Sequence, residues 1–258
     1  MSDWQPNLYL EFGKERTQPS IDLVTRIDVD NPKRIIDIGC GPGNSTAVLK
    51  ARWPQAEIVG LDNSPAMIDN ARLKYPAIDW LCADAAGDLS ALGKFDIVFS
   101  NAAIQWMSEQ ETLLPKLFGL LNRGGVLAVQ VPCTEHMPIH TELEKLATTV
   151  QWEARFADMA SSYSTHQADF YYDTLCNLTA DIDLWETRYF HIMNTLADIV
   201  KWYSGSGLRP YLDCLPDLPS RTGFLKAYEN LLKRDYPVQA NGKILFPFTR
   251  IFFIARGV

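Results

Sequence analysis

The residues best suited to hold a ligand lie in a glycine-rich run, D-I-G-C-G-P-G-N-S-T, at positions 37–46. An apolar strand pattern precedes this run and a helical pattern follows it. In an open α/β sheet, ligands bind beyond the carboxyl ends of the strands, and glycines let the backbone come close to a ligand. The loop residues predicted to bind a cofactor are therefore Asp37, Gly39, Cys40, Gly41 and Gly43.

The spacing of these glycines separates two classes of cofactor. A dinucleotide fingerprint, G-x-G-x-x-G, would place its third glycine at position 44, where this chain has Asn44; its third glycine is Gly43. Asp37 would repel a pyrophosphate, whereas a carboxylate can pair with the ammonium of an amino-acid moiety. The run therefore favours S-adenosylmethionine (SAM), and an NAD-dependent oxidoreductase is a distant alternative.

Polar residues also follow the next three predicted strands. Asp62 lies about twenty residues beyond the loop, where an acidic residue takes ribose hydroxyls. Asp84 is predicted to meet the adenine amino group, and residues 101–106 are predicted to line the floor of the site. Each of these is ordinary turn chemistry when taken singly, but together with the glycine loop they predict a SAM site. The additional cofactor-binding candidates are Asp62, Asn63, Met67, Asp84, Ala85, Asn101, Gln105 and Trp106.

The elements that must position these residues alternate between strand and helix patterns. Asn44-Ser45-Thr46 is predicted to cap one helix, and Asn63-Ser64-Pro65 is predicted to open another, with Pro just inside its start. Such alternation predicts a Rossmann-like α/β fold, with a seven-stranded, mostly parallel sheet and helices on both faces. Pro247 suggests a bulge or an edge position for the last strand. The predicted strands are Arg34–Ile38, Glu57–Leu61, Asp79–Cys82, Asp96–Ser100, Val126–Val131, Ile182–Met193 and Ile244–Ala255.

The predicted organisation is one domain, residues 1–258. Its cofactor-binding core spans about residues 33–132. Two helical insertions, at about 134–178 and 195–240, follow strands 5 and 6 and are expected to form a lid. The chain shows no internal repeat and no low-complexity segment.

The composition excludes several classes of function. Hydrophobic content is 47% and net charge is −7, with no Lys/Arg-rich run, so a nucleic-acid partner is not expected. No apolar run is long enough to cross a bilayer, and the amino-terminal residues do not resemble a signal peptide, so a cytoplasmic location is expected. The five cysteines are scattered without a C-x-x-C pair, which argues against a disulfide framework and a metal site.

Beyond these features, the glycine loop resembles that of the class I SAM-dependent methyltransferases. Further motifs are W-x-P-x-L-Y-L-x-F (4–12), E-R (15–16), L-D-N-S-P-A-M-I (61–68), A-x-x-Q-W (102–106), G-V-L-A-V-Q-V-P (125–132), Y-F-H-x-M (189–193), G-L-R-P-Y-L (207–212) and the terminal P-x-x-R-I-F-F-I-A-R. Together these motifs cover nearly the whole chain and resemble the trans-aconitate 2-methyltransferase family. The departures fall in the 134–178 insertion, a region that could help to set substrate choice.

The resemblance implies a SAM-dependent carboxyl O-methyltransferase that forms the monomethyl ester of trans-aconitate and S-adenosylhomocysteine (SAH). Removal of an unwanted citric-acid-cycle by-product would be its role. A carboxylate with a pKa near 4 is already ionised at pH 7, so no catalytic base is expected and positioning suffices. One alternative is a class I enzyme acting on another small carboxylate or on a hydroxyl. An enzyme acting on a hydroxyl would usually need a general base. Another alternative is a non-catalytic SAM-binding protein.

A polycarboxylate substrate needs cations to hold it, and arginine is the best partner for a carboxylate. Arginines in the family-like motifs are therefore substrate-binding candidates, with tyrosines and a histidine as further donors. Each has a structural alternative, such as helix capping for Arg16 and surface ion pairing for Arg250. The candidates are Tyr9, Arg16, Tyr172, His191, Arg209, Tyr211 and Arg250. A monomer is expected.

Overall fold

The computed structural model describes residues 13–159 and 163–257, without the side chains of Lys14 and Glu15. Tyr9, a predicted substrate-binding residue, therefore lies outside the described residues. In the described part of the chain, no helix is long and apolar enough to cross a membrane.

One seven-stranded sheet organises the fold. Its strands are Arg34–Ile38 (β1), Glu57–Asp62 (β2), Asp79–Cys82 (β3), Phe95–Asn101 (β4), Leu121–Pro132 (β5), Ile182–Met193 (β6) and Ile244–Arg256 (β7). The strand order is β3-β2-β1-β4-β5-β7-β6. Pairing among β1 to β5 is parallel, and β7 runs antiparallel to β5. The predicted Rossmann-like, mostly parallel sheet is therefore confirmed, and each predicted strand agrees with an observed one to within a few residues.

The position of β7 corrects one expectation. Pro247 suggested an edge position or a bulge, and the edge position is wrong, because β7 lies inside the sheet, between β5 and β6. Its pairing with β5 runs from Arg250, opposite Pro132, to Arg256. Pro247 precedes that stretch, so its missing N–H removes no ladder hydrogen bond to β5.

The register sets which side chains share a face of the sheet. Asp37 of β1 pairs with Phe99 of β4, and Asn101, two residues further along β4, pairs with Gln130 of β5. Arg250 of β7 lies two residues from Phe252, the partner of Gln130. Because side chains alternate along a strand, the side chains of Asp37, Asn101, Gln130 and Arg250 all project from one face.

Helices flank this sheet and fill the insertions. They are Gly13–Arg26 (α1), Asn44–Arg52 (α2), Pro65–Lys74 (α3), Gln110–Phe118 (α4), Pro138–Ala147 (α5), Glu153–Phe156 (α6), Ala168–Leu175 (α7), Leu196–Ser204 (α8), Arg209–Cys214 (α9) and Leu218–Leu232 (α10). Helix α2 lies on the face of Asp37, to which its Ser45 donates a hydrogen bond. Helix α7 lies on the other face, where Tyr171 stacks on Phe253.

The two predicted helix starts have different outcomes. Ser64 caps α3 as expected, accepting a hydrogen bond from the Met67 amide, with Pro65 in the first turn. The predicted cap at Asn44-Ser45-Thr46 is wrong. Helix α2 has Gly43 in the left-handed conformation as its cap, with no side-chain hydrogen bond, because the hydroxyls of the next residues bind elsewhere.

The chain divides into two compact units. The first comprises the described parts of residues 3–132, 166–187 and 250–258, and the second comprises the described parts of 133–165 and 188–249. In the second unit, Phe156 and Phe224 make edge-on contacts, and Tyr211 stacks on Phe224. His191 of the same unit is buried beside Trp202. Aromatic packing of this kind gives the helical insertions a core of their own.

Candidate functional site

The glycine loop is held against the neighbouring strand by its own backbone. The amides of Gly39 and Cys40 both donate to the carbonyl of Leu61, at 2.7 and 3.0 Å. Gly39 has φ +69°, and a Cβ at this position would lie 2.2 Å from the Cβ of Ala103. Only glycine therefore lets the loop pass so close to the segment after β4.

Gly41, at the middle of the loop, faces open space. Its φ is +54°, and a Cβ built on it would meet nothing within 4 Å. Its amide donates to Oδ2 of Asp62 (2.9 Å). The absence of a side chain here leaves backbone that a ligand can approach closely.

Asp37 is the most unusual acid of the site, because it is fully buried. Ser45 and Thr46 each donate to its Oδ2 at 2.7 Å, while Oδ1 has no partner among the described residues. Burial raises the pKa of Asp37 to about 7, the two hydroxyl hydrogen bonds oppose this rise, and Asp62 adds to it. A buried oxygen without a donor is costly, so this atom fits a ligand that carries a cation.

Asp62 ends β2 and closes the loop. Its Oδ2 accepts from the Gly41 amide and its Oδ1 accepts from the Ser64 amide at 2.9 Å. Asp62 is half-buried. Carboxylate oxygens accept hydrogen bonds from hydroxyl groups, so Asp62 is chemically suited to ribose hydroxyls.

The end of β4 and the segment after it bring two more unpaired oxygens into the interior. Asn101 and Gln105 are buried, and their side-chain oxygens have no partner among the described residues. The Gln105 amide nitrogen donates to the Ala102 carbonyl (2.7 Å). Ala102 adopts φ +53°, and its amide donates to the Gln130 carbonyl (2.9 Å). A left-handed alanine costs roughly 1 kcal/mol, and such strain clusters at functional sites.

The remaining cofactor candidates lie around this centre with varied exposure. Met67 and Ala85 are buried, Trp106 is half-buried, and Asn63 is exposed. Asp84 is exposed and accepts from the Ala86 amide (2.9 Å), so it also shapes its own turn. The buried thiol of Cys40 has a pKa well above its usual range, chiefly because of burial, and stays neutral.

The substrate candidates of the first unit differ in burial. Arg16 and Arg250 are both buried, which makes simple surface pairing a poor account of Arg250. Nη1 of Arg250 donates to Oε1 of Gln130 (3.2 Å). Tyr172 is 52% exposed, whereas its neighbour Tyr171 is buried and donates to Gln110.

The substrate candidates of the second unit are His191, Arg209 and Tyr211. His191 is buried among aromatic rings. Nε of Arg209 lies 3.8 Å from the carboxylate of Asp213, one turn along α9. Burial raises the pKa of Tyr211 to about 12, so its hydroxyl is a donor at neutral pH.

Sequence reasoning missed several polar residues of these regions. Gln130 carried a local signal, because it is a lone amide in the apolar run V-L-A-V-Q-V. Ser45 and Thr46 were interpreted as helix caps. His140 and the buried Tyr203, whose side chains hydrogen-bond at 3.1 Å in the second unit, had no local signal because 63 positions separate them.

Taken together, the carboxyl ends of β1, β2 and β4 present acceptor oxygens, buried at Asp37 and Asn101 and half-buried at Asp62, and the glycine that bonds to Asp62 faces open space. Acceptors so placed suit a ligand with an ammonium and hydroxyl groups, as an amino acid joined to a nucleoside has. The arrangement of backbone and acids is compatible with SAM, which the glycine spacing favoured.

Comparison with known proteins agrees with this chemistry. Residues 35–125 match the family model described as Methyltransferase domain. The chain is 43% identical to a trans-aconitate 2-methyltransferase of Methylobacterium radiotolerans and 40% identical to one of Enterobacter sp. (strain 638), in each case over 99% of both chains. Among solved structures, it resembles the YcgJ protein of Bacillus subtilis with a TM-score of 0.63 at 13% identity, over 93% of this chain and 98% of that one. The last likeness bears on the fold alone.

Proposed function

The chain belongs to the trans-aconitate 2-methyltransferase family of SAM-dependent methyltransferases, and on that premise we propose that it methylates a carboxylate of trans-aconitate. The products are the monomethyl ester and SAH. The observation that carries the proposal is identity of 40–43% over 99% of both chains. The aligned region extends beyond the methyltransferase domain of residues 35–125 and includes the insertions, one of which could help to set substrate choice.

Four residues of the first unit are proposed to hold the cofactor. The unpaired oxygens of Asp37 and Asn101 accept hydrogen bonds from its ammonium, and Asp62 accepts from its ribose hydroxyls. Gly41 lets its chain approach the backbone. SAM, when bound, supplies a methyl group on a sulfonium that is already a strong electrophile.

The substrate carboxylate needs orientation rather than activation. Because it is ionised at neutral pH, no side chain has to remove a proton, and the residues act by holding it in line in a site that excludes water. Arg16, Arg209 and Arg250 are proposed to supply the positive charge. The chain has a net charge of −7, so attraction of a polyanion depends on such local cations.

The rest of the proposal concerns the setting of the enzyme. We expect it to act in the cytoplasm, as a monomer, on a small molecule and not on nucleic acid. Methylation lowers the charge of the substrate by one, which fits removal of an unwanted by-product.

A hydroxyl acceptor is the second candidate, and one observation favours it. His140 hydrogen-bonds to Tyr203 and lies 3.3 Å from the carboxylate of Glu144. Burial lowers the pKa of His140, against the opposing effect of Glu144, so the imidazole is neutral at pH 7. A neutral imidazole beside a carboxylate can serve as a general base, which only a hydroxyl acceptor would need.

Transfer of labelled methyl from SAM to a panel of di- and tricarboxylates and their hydroxylated relatives tests both candidates. The proposal predicts a base-labile ester of trans-aconitate, whereas a base-stable ether would establish the hydroxyl candidate. Arg209→Ala should raise KM for trans-aconitate. Arg234→Ala, an exposed arginine of the second unit that pairs with Glu142, is the matched control and should not. Binding of SAM without methylation of any member of the panel would refute both candidates.

A further inference from the structure

The pair formed by Gln130 and Arg250 joins two strands that are far apart in sequence. Both side chains are buried, and Nη1 of Arg250 donates to Oε1 of Gln130 at 3.2 Å. Gln130 lies two residues before the end of β5, and Arg250 pairs with Pro132 at that end. The pair therefore lies at the carboxyl edge of the parallel strands, where α/β folds bind ligands.

The other end of the Gln130 amide has no partner. Its Nε2 is buried and donates no hydrogen bond to any of the described residues. Asn101 lies opposite Gln130 across β4 and β5 and has an unpaired oxygen, yet the two amides do not bond to each other. A buried donor left without an acceptor is unfavourable, so an acceptor from outside the chain is the natural partner for Nε2.

The geometry of an amide decides what this acceptor is. Because the amide group is planar, fixing its oxygen on Arg250 also fixes the direction of its two N–H bonds. The N–H groups of a guanidinium and of an adjacent amide form a set of donors with positive charge. A carboxylate, with two acceptor oxygens and a negative charge, matches that set.

The reactants offer two sources of a carboxylate, SAM and the polycarboxylate substrate, and distance separates them. Asp37, the proposed partner of the SAM ammonium, lies on β1, and β4 and β5 separate it from β7. Three strand spacings of about 4.8 Å separate β7 from β1, and Arg250 pairs with Pro132, four residues beyond the level of Asp37 in β5, so the Cα atoms of Arg250 and Asp37 lie roughly 20 Å apart. The ammonium and the carboxylate of an amino acid share one carbon atom, so Arg250 is too far away to hold the second while Asp37 holds the first.

We infer that Gln130 positions the substrate, by orienting Arg250 and donating from Nε2 to the same substrate carboxylate. This inference rests on the proposed function. Gln130 also holds the segment after β4, because its carbonyl accepts from the strained Ala102. One residue of β5 thus links the segment after β4 to the substrate carboxylate.

The test compares Gln130→Met and Gln130→Glu with a control, Gln110→Met. Gln110 is a buried glutamine whose side chain accepts from Tyr171, on the opposite face of the sheet. Gln130→Met removes the hydrogen bonds at similar volume. Gln130→Glu places a carboxylate beside Arg250 that competes with the substrate, and it retains a polar partner for Arg250 if the methionine variant fails to fold.

The expected result is a KM for trans-aconitate raised about tenfold or more in both Gln130 variants, the factor for losing one charged hydrogen bond. KM for SAM should stay within about twofold, and Gln110→Met should change neither constant. A raised KM for SAM with an unchanged KM for trans-aconitate would overturn the inference in favour of the cofactor carboxylate. Unchanged values of both would overturn it outright. Failure of the wild-type protein to methylate any polycarboxylate would instead refute the proposed function, and the wild-type assay alone reveals that.

Discussion

At the amino end of the parallel strands both carboxylate oxygens of Asp96 accept hydrogen bonds, whereas at the carboxyl end Oδ1 of Asp37 has no partner among the described residues. Oδ2 of Asp96 accepts from the amides of Lys33 (2.6 Å) and Arg34 (3.0 Å), and Oδ1 accepts from Asn122 (2.7 Å). Burial alone would raise the pKa of Asp96, but the hydrogen bonds from Arg34, Asn122 and Lys33 outweigh it and lower that pKa. The pKa of Asp37 is instead raised to about 7.

The neighbours of these two acids differ in the same way. Arg34, beside Asp96, bonds to Glu57 and to the carbonyls of Leu92 and Lys94. At the carboxyl end, Asn101, Gln105 and Gln130 each keep one buried atom without a partner among the described residues. Polar groups at the amino end therefore have their partners within the fold, while those at the carboxyl end are proposed to bind a ligand. Variants at the two ends should separate stability from binding.

The largest effect is expected for Asp37→Asn. This variant removes the charge that attracts the ammonium, and a charged hydrogen bond contributes about 1.5–3 kcal/mol, so the Kd for SAH should rise roughly 100-fold by calorimetry. The free energy of unfolding at pH 8 should not fall, because a buried charge is removed. An unchanged Kd would remove Asp37 from the binding site.

Asp96→Ala should give the opposite result. It deprives the amides of Lys33 and Arg34 and the side chain of Asn122 of their acceptor. We expect urea denaturation to show a loss of roughly 1–2 kcal/mol, with the Kd for SAH changed less than about twofold. A large loss of SAH affinity in a protein that remains folded would contradict the division between the two ends.

The pH dependence of SAH binding sharpens the comparison further. A bound ammonium favours the ionised form of Asp37 and lowers its pKa, so the complex binds fewer protons than the free enzyme. Affinity should therefore rise as much as about tenfold per pH unit up to pH 7 and level off above it. The stability of the free protein changes with pH in the opposite direction to the affinity. Since the folded pKa of Asp37 lies above its unfolded value, this group makes the fold less stable as pH rises from about 4 to 7. Asp37→Asn should abolish both trends.

The smallest effect is expected for Thr46→Val. The hydrogen bond from the Thr46 hydroxyl lowers the pKa of Asp37 more than the bond from Ser45 does. Its loss should therefore move the midpoint of the binding profile to higher pH. We expect a shift below about one pH unit, and a smaller one for Ser45→Ala. Ser100→Ala is the control, because the Ser100 hydroxyl donates to the Ile38 carbonyl and not to Asp37. A downward shift in Thr46→Val would contradict this account of Asp37.

The local part of this architecture was predictable from sequence, and the non-local part was not. The strand before Gly39 and the cap at Ser64 follow from patterns a few residues long, as does the position of Asp62. Ser45 and Thr46 fit a helix cap equally well by pattern. Their bonds to Asp37 depend on the left-handed turn at Gly43, which lets the helix begin without a side-chain cap.

Strand order and cross-strand pairs lie beyond such patterns. Pro247 lies before the stretch of β7 that pairs with β5, but the place of β7 inside the sheet depends on partners across the whole chain. Gln130 and Arg250 are 120 positions apart, so no periodicity connects them. The roles proposed for the cofactor and substrate residues remain predictions that the variants above address.

The place of β7 between β5 and β6 also bears on how the protein is made. The ribosome synthesises β6 before β7, the strand that pairs with it. Strand β6 therefore has no partner from β7 while some fifty more residues emerge. Asp37 and its two hydroxyl donors lie within nine positions and can meet early, whereas Gln130 meets Arg250 only when β7 arrives. Because long-range pairing slows folding, completion of this sheet should be the late step of biogenesis, and the waiting strand is where a chaperone would be most useful.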